Sequence, residues 1–426
     1  MQDRYANKMS TGSRAALDAY IEGVDLFLAA QAGADKALKR AIAEDPSFAL
    51  AHTALARHHQ TVGNITEAVK SMSSARALSP DCTPREQSHI TIIGHLIDGK
   101  AALAYQAILK HVADDPRDAL ILQPCAGVFS LIAFSGRMGR EAETFAFFDS
   151  LKTHLDTDWW FDSVRGFSLA EIGRLNEAEP LLERSYTNNP SNANAAHYKG
   201  HFHYEAGEHV AGRKFIHKWL KSYDPSSMMH CHISWHDALW ALELGETDTA
   251  WHIIDNAVRP GRSSSPSINI LTDMVSFLLR AELAGEPRRE DLWKEISEYA
   301  ARHFSAPGVN FADAHAAIAH AMSGDYETLR MLRDTTAGTA SDVVNALADV
   351  YQDFVRSDWQ GVIDGLVPVM GSHERLGGSK AQRDFMEFTL LNALMRLGKA
   401  EEANRLFAIR RPILSKDGLL PSIFSE

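Results

Sequence analysis

Eight histidines fall within forty residues in the middle of this chain, and five of them are the candidates for chemistry: His197, His201, His230, His232 and His236. The first two are four residues apart, as are the last two, so on α-helices each pair projects from one face about one turn apart. Two such pairs on neighbouring helices could supply three or four imidazoles to Zn²⁺, Fe²⁺ or Mn²⁺, with Glu205 or Glu243 as an added carboxylate ligand. No His-Glu-x-x-His motif is present, so a divalent metal is one alternative among several.

Two metal-free interpretations fit the same histidines. In the first, the imidazoles hydrogen-bond to each other and to nearby tryptophans inside a polar groove. In the second, one imidazole is a general base in hydrolase or lyase chemistry, since the ordinary histidine pKa of ~6.5 lies close to working pH. The metal therefore stays open at this point. The predicted catalytic or ligand-orienting residues are His232, His236, His197 and His201.

A second candidate site begins at a loop of two glycines and a serine, residues 377–379. The backbone N–H groups there start a helix, where an anion is favoured, and Arg383 could bind a carboxylate or phosphate through two hydrogen bonds. The alternative is a capped helix, with Ser379 as N-cap and Asp384 in an ion pair. If the chain curls through a full turn, this loop and the histidines form one pocket. The predicted substrate-binding residues are Arg383, Gln382, Asp384, His315, Lys380 and Trp235.

Repeated helical hairpins are the elements that must position these residues. Pro46 and Pro80 lie 34 residues apart, the period typical of tetratricopeptide repeats. Glycine takes the left-handed turn that ends the first helix of a hairpin, and a small residue in the second helix admits the neighbouring backbone. Such pairs recur at Gly63/Ala68, Gly99/Ala104, Gly173/Ala178, Gly245/Ala250 and Gly398/Ala403. The pattern predicts an all-α fold: a tetratricopeptide-like α-solenoid of helical hairpins, strongly curved or closed on itself.

No boundary between separate domains is evident, so residues 1–426 are predicted to form one α-solenoid. Its parts are N-terminal repeats at 1–151, central histidine-rich repeats at 152–258, C-terminal hairpins at 267–411 and a tail at 412–426. Residues 125–151 are predicted to be a degenerate hairpin, and loops are expected at 259–266, 337–341 and 371–379. The apolar tail residues Leu419, Leu420, Ile423 and Phe424 could pack on the solenoid or on a second copy, so a homo-oligomer stays open.

The composition limits the classes of function. The 43 basic and 55 acidic side chains give a net charge of −12, so nothing attracts nucleic acid or anionic lipid over the whole surface. No run approaches the ~18 apolar residues of a membrane span, and the charged start is not typical of a signal peptide. Phosphate-loop, nucleophile-elbow and dinucleotide-binding motifs are absent from the sequence. We predict a soluble, cytoplasmic protein without a nucleic-acid or membrane partner.

Four segments carry a resemblance to a known family. They are Ala-His-Tyr-Lys-Gly-His at 196–201, His-Ile-Ser-Trp-His-Asp-Ala-Leu at 232–239, Phe-Ala-Asp-Ala-His-Ala at 311–316 and Gly-Gly-Ser-Lys-Ala-Gln-Arg-Asp at 377–384. Together they resemble the tetratricopeptide repeat protein 38-like family over residues 160–410, and the last segment is the most specific. The resemblance implies a helical-repeat fold with these polar motifs near its inner face, and it implies no particular reaction. Lys380 stands at the variable position of the last motif.

Two functions are consistent with these patterns. The first is a concave pocket, lined by histidine and arginine, that binds a small anionic metabolite and uses histidine as acid or base. The second is a non-catalytic scaffold that binds a peptide or partner protein along the groove. The polar residues cluster in two repeats and one distant loop instead of forming a ladder along many repeats. This clustering favours the compact pocket.

Overall fold

The computed structural model describes residues 1–415, and over that range the chain is helical apart from turns, loops and one isolated β-bridge between Gln2 and Lys8. The first third contains α1 (Arg14–Leu28), α2 (Ala34–Glu44), α3 (Ala49–Thr61), α4 (Ile65–Leu78), α5 (Pro84–Ile97), α6 (Ala101–Asp114), α7 (Ala119–Leu122) and α8 (Arg140–Ser150). The middle contains α9 (Trp159–Glu171), α10 (Leu175–Asn188), α11 (Ala193–Glu205), α12 (His209–Leu220), α13 (His230–Glu243) and α14 (Thr247–Ile253).

The last third continues the alternation of first and second hairpin helices. It contains α15 (Ser267–Leu283), α16 (Glu290–His303), α17 (Asn310–Ser323), α18 (Tyr326–Thr335), α19 (Ser341–Val355), α20 (Trp359–Met370), α21 (Lys380–Arg396) and α22 (Ala400–Arg410). Short 3₁₀ turns lie at Ser79–Asp81, Gln123–Cys125, Ala133–Ser135 and His373–Leu376, and a π-helical turn at Ile254–Val258 extends α14. The all-α prediction is confirmed. Within residues 1–415, no helix has both the length and the apolar character needed to cross a bilayer.

The glycine and alanine pairs occupy the places that the repeat pattern predicts. All five glycines, at 63, 99, 173, 245 and 398, have φ between 72° and 80°, the left-handed conformation that costs an L-side chain energy. Each lies at the turn between the two helices of a hairpin. The five alanines that follow are fully buried where the helices cross. The hairpin repeat is thus encoded locally, by backbone conformation at one position and side-chain size at another.

The stretch 125–151 differs from the degenerate hairpin that the sequence predicts. Only its second half is an α-helix, α8, while the first half consists of turns around Ala133–Ser135. Pro124 cannot continue the helix before it, and the glycines at 127, 136 and 139 all have positive φ. The chain therefore leaves the repeat geometry here and forms an irregular loop.

The predicted interruptions at 259–266, 337–341 and 371–379 are observed between helices, and the last one contains the turn His373–Leu376. Within the predicted C-terminal hairpins, α16 completes the hairpin begun by α15. The predicted tail contacts of Leu419, Leu420, Ile423 and Phe424 lie outside the described residues.

Contacts between distant parts of the chain show that the solenoid is strongly curved. The N–H group of Ala193 donates to the carbonyl of Ala29 at 2.9 Å, which joins the first hairpin to the central repeats. On the other side, the Gly139 N–H donates to the Glu374 carboxylate at 2.7 Å. Arg140, which is buried, donates through Nε to the Glu374 carbonyl at 2.6 Å and through Nη2 to the Gly378 carbonyl at 2.5 Å. The irregular loop before α8 is therefore fixed to the loop before α21.

Replacing Arg140 by Met should weaken this closure. The variant removes two charge-assisted hydrogen bonds, to the carbonyls of Glu374 and Gly378, although the Gly378 carbonyl keeps its bond from Arg383. We therefore expect the free energy of unfolding to fall by about 2–4 kcal/mol in urea denaturation. Arg137→Met is the matched control, because Arg137 lies three residues earlier with a half-exposed side chain and an ion pair to Glu143. Its loss should cost only about 0–1 kcal/mol. Equal effects of the two variants would show that the bonds of Arg140 do not hold the closure.

Candidate functional site

Two neighbouring helices carry the four paired histidines. Residues 197 and 201 lie on α11, and residues 232 and 236 lie on α13. Trp240 of α13 packs over two glycines of the preceding hairpin: a Cβ at Gly212 would lie 2.7 Å from the indole ring, and one at Gly200 would lie 3.7 Å from it. Because Gly212 has no side chain, the buried indole can settle against α12 and bring α13 close to α11.

The four imidazoles form one compact group, here called the histidine cluster: His197, His201, His232 and His236. The ring centroids of its contacting pairs are 4.5–5.2 Å apart. One nitrogen from each ring lies within 4.8 Å of the corresponding nitrogen of every other ring, and all four residues are buried. His230, the fifth histidine of the sequence pattern, instead stacks near Tyr223 with ring centroids 6.3 Å apart. The tertiary structure thus brings together the residues predicted to be catalytic.

Protein groups satisfy only part of the hydrogen-bonding capacity of the cluster. The Nε2 atoms of His197 and His201 are 2.9 Å apart, so one of them donates to the other. His232 donates through Nδ1 to both carboxylate oxygens of Asp273 at 2.9 Å, which leaves its Nε2 as the nitrogen with a free lone pair. Among the described residues, no hydrogen-bond partner exists for Nδ1 of His197, Nδ1 of His201 or Nε2 of His236. Three buried ring nitrogens therefore lack a partner.

Burial sets the protonation of the cluster. Removal from water lowers the pKa of His197, His201 and His236 well below the ordinary histidine value, and the neighbouring imidazoles lower it further. Burial also raises the pKa of Glu171 to about 7; its Oε1 lies 3.8 Å from Nδ1 of His201. The three imidazoles are neutral at neutral pH. They offer lone pairs to a metal ion and are weak bases.

The donor set fits a transition metal. Four nitrogens around a tetrahedral Zn²⁺ at 2.0–2.1 Å would be about 3.4 Å apart, so a widest separation of 4.8 Å requires side-chain shifts of roughly 1 Å. Imidazole suits zinc, copper, nickel and iron, whereas magnesium and calcium prefer oxygen. The predicted carboxylate ligands lie elsewhere. Glu205 pairs with Arg411 at 2.8 Å, and Glu243, at the far end of α13, pairs with His209 at 3.0 Å.

A cavity of about 290 Å³, here called the histidine cavity, adjoins the cluster, with His197 and His232 in its wall. Most of the lining is apolar, and its large side chains are Phe27, Phe129, Trp160, Tyr198, Met228 and Met229. The polar lining comes from Asn194, Asn269, Gln123, Thr61 and Arg57. The volume is at the lower end of the range for small-molecule sites, and the mixture of apolar walls with a few polar groups is typical of them.

The loop at 377–379 forms a capped helix, the alternative interpretation of the sequence. Ser379 accepts from the backbone of Gln382 at 3.1 Å, and Gln382 accepts in return from the backbone of Ser379 at 3.0 Å, a capping box. Arg383 donates to the carbonyls of Gly377 and Gly378 and pairs with Glu141. The guanidinium is thus engaged in closing the solenoid.

Arg383 and the histidines line two different cavities. Arg383, Lys380 and Asp384 belong to a cavity of about 230 Å³ whose wall contains equal numbers of basic and acidic side chains, apart from one histidine. Asp384 accepts from the Tyr204 hydroxyl at 2.7 Å and pairs with Arg411 at 3.2 Å. The two motifs line separate cavities, so the single pocket predicted from the sequence is not observed. The charges around Arg383 are also matched within the protein.

The remaining predicted site residues differ in their surroundings. Trp235 stacks on His232 with ring centroids 5.2 Å apart and an interplanar angle of 15°, so it supports the cluster from behind. His315 donates through Nδ1 to the Phe311 carbonyl at 2.7 Å and lies against Phe385 in the core. It lines neither of the two cavities.

Sequence reasoning missed Asp273, Glu171 and Arg57. A signal for the first was present, because α15 reads as apolar except for one polar stripe. Asn269, Asp273, Ser276 and Arg280 recur at spacings of four, three and four residues, which places them on one helix face, and all are buried. Such a stripe inside an apolar helix indicates a polar partner on the facing element. Glu171 and Arg57 carry no comparable pattern.

No family model matches this chain. Similar solved structures include the human IFIT1 dimer with m7Gppp-AAAA, at 12% identity over 87% of this chain and 90% of that chain, with a TM-score of 0.45. Yeast Tom70 is 14% identical over 94% of this chain and 92% of its own, with a TM-score of 0.35. The P58(IPK) TPR domain is 14% identical over 92% and 98%, with a TM-score of 0.22. At these identities the likeness concerns the fold alone, a tetratricopeptide-like α-solenoid.

The prediction that nucleic acid is excluded as a partner is wrong. Structures of IFIT1, to which this chain is similar in fold, hold m7Gppp-AAAA or PPP-AAAA. The exclusion rested on a net charge of −12 for the whole chain. Charge summed over a whole surface does not determine the potential inside one cleft, so it excludes no class of ligand. What IFIT1 binds is a property of IFIT1.

His236→Leu tests whether the cluster serves stability. Leu removes a buried nitrogen without a partner, so we expect the free energy of unfolding of chelator-treated protein to rise by about 1 kcal/mol. His89→Leu is the matched control, because His89 is equally buried but bonds to the buried Asp118 carboxylate at 2.9 Å. That variant should lose about 1–3 kcal/mol, because Asp118 loses one buried hydrogen bond and keeps its ion pair with Arg85 at 2.6 Å. If His236→Leu lost as much, the cluster would be a structural core.

Proposed function

We propose that this protein is a small-molecule-binding metalloprotein, in which the histidine cluster holds one transition-metal ion beside the histidine cavity. The observation that carries the proposal is the set of four buried imidazole nitrogens within 4.8 Å of one another. Two of these residues, His197 and His232, also line the cavity, so a bound molecule would reach the metal. Polarisation of an oxygen atom of the ligand or of water is the chemistry that such a centre supplies.

The protonation of the cluster favours metal binding over metal-free acid–base catalysis. A general base is most effective when its pKa lies near the working pH. Burial lowers the pKa of His197, His201 and His236 well below that range, so they would accept a proton poorly. A metal ligand, in contrast, must be the neutral imidazole. The same burial that weakens the base therefore prepares the ligand.

The surroundings of His232 resemble those of a metal ligand. Metal-binding histidines usually donate their second ring N–H to a carboxylate, which fixes the tautomer and the ring orientation. Asp273 accepts this bond from Nδ1 of His232, while Cys231, with its thiol sulfur 3.9 Å from the same carboxylate, holds it from the other side. The tautomer leaves Nε2 of His232 as the donor atom for the metal.

The alternative function, a scaffold that binds a peptide along the groove, has less support. An extended peptide needs an open inner face, whereas the loop at 371–379 packs against Gly139 and Arg140 through three hydrogen bonds. Membership of the tetratricopeptide repeat protein 38-like family is also part of this proposal, and the four sequence motifs support it. A cytoplasmic location agrees with three cysteines that are all unpaired.

Elemental analysis of protein purified without chelator or histidine tag is the direct test. We expect about one equivalent of zinc, iron, copper, nickel or manganese per chain. In His232→Ala/His236→Ala the metal should be lost during purification, because the two remaining imidazoles bind a metal ion too weakly to retain it. Circular dichroism confirms that the variant is folded.

His154→Ala/His252→Ala is the matched control for this experiment. Both histidines are exposed and lie outside α11 and α13, so the variant removes two imidazoles without touching the cluster. It should keep the full metal content. Wild-type protein that neither contains metal nor binds added Zn²⁺, Ni²⁺, Cu²⁺, Mn²⁺ or Fe²⁺ would overturn the proposal.

Asp273→Asn addresses the partner of His232. The amide keeps the shape but removes the charge that orients the imidazole, so metal affinity should fall by about 10- to 100-fold in a chelator competition titration. Asp313→Asn is the control, because the Asp313 carboxylate is buried like that of Asp273. It lies away from the cluster, where it accepts a hydrogen bond from the Gly308 backbone at 3.2 Å. A metal affinity of Asp273→Asn equal to that of the control would remove Asp273 from the site.

A further inference from the structure

The histidine cavity contains one charged side chain among its lining residues, Arg57 of α3. No aspartate or glutamate is in its wall. The other ionisable lining groups are His197, His232 and Tyr198. Arg57 is therefore the permanent charge of a largely apolar cavity.

Neutral groups hold Arg57 in place without matching its charge. Nε and Nη2 donate to the amide oxygen of Gln123 at 3.2 and 2.9 Å, and Nη1 donates to the amide oxygen of Gln60 at 2.7 Å. A guanidinium has five N–H groups, so three bonds leave two for a ligand. Among the described residues, no carboxylate lies within ion-pair distance of Arg57.

Among the described residues, three of the four buried arginines differ from Arg57 in this respect, because they pair with a carboxylate. The fourth, Arg280, donates to the Ala381 carbonyl and the Tyr204 hydroxyl and does not line the histidine cavity. Arg383 pairs with Glu141, and Arg411 pairs with Glu205 at 2.8 Å. Such pairing is the rule, because a charge removed from water is unfavourable unless an opposite charge compensates it. Burial lowers the pKa of Arg57 to about 10, which still leaves it protonated at neutral pH. An anionic group of a ligand is the missing opposite charge.

We propose, as a refinement that rests on the function above, that the ligand of the histidine cavity is a small monocarboxylic acid with an apolar body, anchored through its carboxylate by Arg57. The two unused N–H groups of the guanidinium match the two oxygens of a carboxylate. A phosphate monoester would bring three terminal oxygens to a guanidinium that has only two unused N–H groups. The aromatic and methionine side chains of the wall fit the apolar body, and its far end reaches His197 and His232.

The matched pair of phenylacetate and phenylacetamide tests this inference, because the two probes differ in charge but hardly in shape. Isothermal titration of the metal-containing wild type, extended to benzoate and 4-methylpentanoate with their amides, should show binding of at least one acid. Its amide should bind 10-fold more weakly or worse, and phenyl phosphate should not bind better than phenylacetate. In Arg57→Met, the affinity for the acid should fall by about 10- to 100-fold.

Arg330→Met is the matched control, since Arg330 is an exposed arginine of α18, and its affinity for the acid should equal that of wild type. Metal content is measured in the same samples. Metal retained in Arg57→Met together with lost acid binding supports both proposals. Equal binding of acid and amide, or acid binding unchanged in Arg57→Met, overturns the carboxylate inference even where the metal is present. If wild type neither contains nor binds a metal but still binds the acid through Arg57, only the metal centre is overturned.

Discussion

Close packing of Trp240 against Gly212, with Gly200 beside it, is the contact on which the histidine cluster depends. The indole occupies space that any side chain at position 212 would fill, since a Cβ there would lie 2.7 Å from the ring. This packing sets the separation of α11 and α13, and with it the distances among four imidazoles that the two helices carry. A larger residue at position 212 would move α13 outward and separate His197 from His232, whose ring centroids are now 4.7 Å apart. The chemistry of the site is therefore a consequence of helix packing.

Burial has opposite effects on stability and on binding in this site. Neutral imidazoles without hydrogen-bond partners are unfavourable in a protein interior, and the rest of the fold must offset their cost. Asp273 satisfies one of them, and the stacked ring of Trp235 restricts its movement. The remaining nitrogens keep their lone pairs directed into a small volume. A preorganised set of this kind binds a metal ion with little loss of side-chain entropy, because the rotamers are already fixed by packing.

Arginine side chains have two distinct roles along the inner surface. Arg140 and Arg383 bind backbone carbonyls of the loop at 377–379 and hold distant parts of the chain together. Their charges are used within the protein, and the cavity around Arg383 is electrically balanced. Arg57 has only amide partners, Gln60 and Gln123, and its charge remains available to a ligand. The amide partners of Arg57, together with its place in the wall of the histidine cavity, support our proposal that it binds a ligand.

The sequence by itself determined the features that depend on local conformation. The left-handed turn at Gly63, the buried Ala68 and the four-residue spacing of His197 and His201 follow from rules that act within one or two helical turns. Only the tertiary structure decided that Asp273 bonds to His232, that Arg383 is engaged by Glu141 and that Arg57 faces the histidine cavity. Those contacts join residues far apart in the chain. The curvature of the solenoid sets them, and that curvature sums many small packing angles that no single motif encodes.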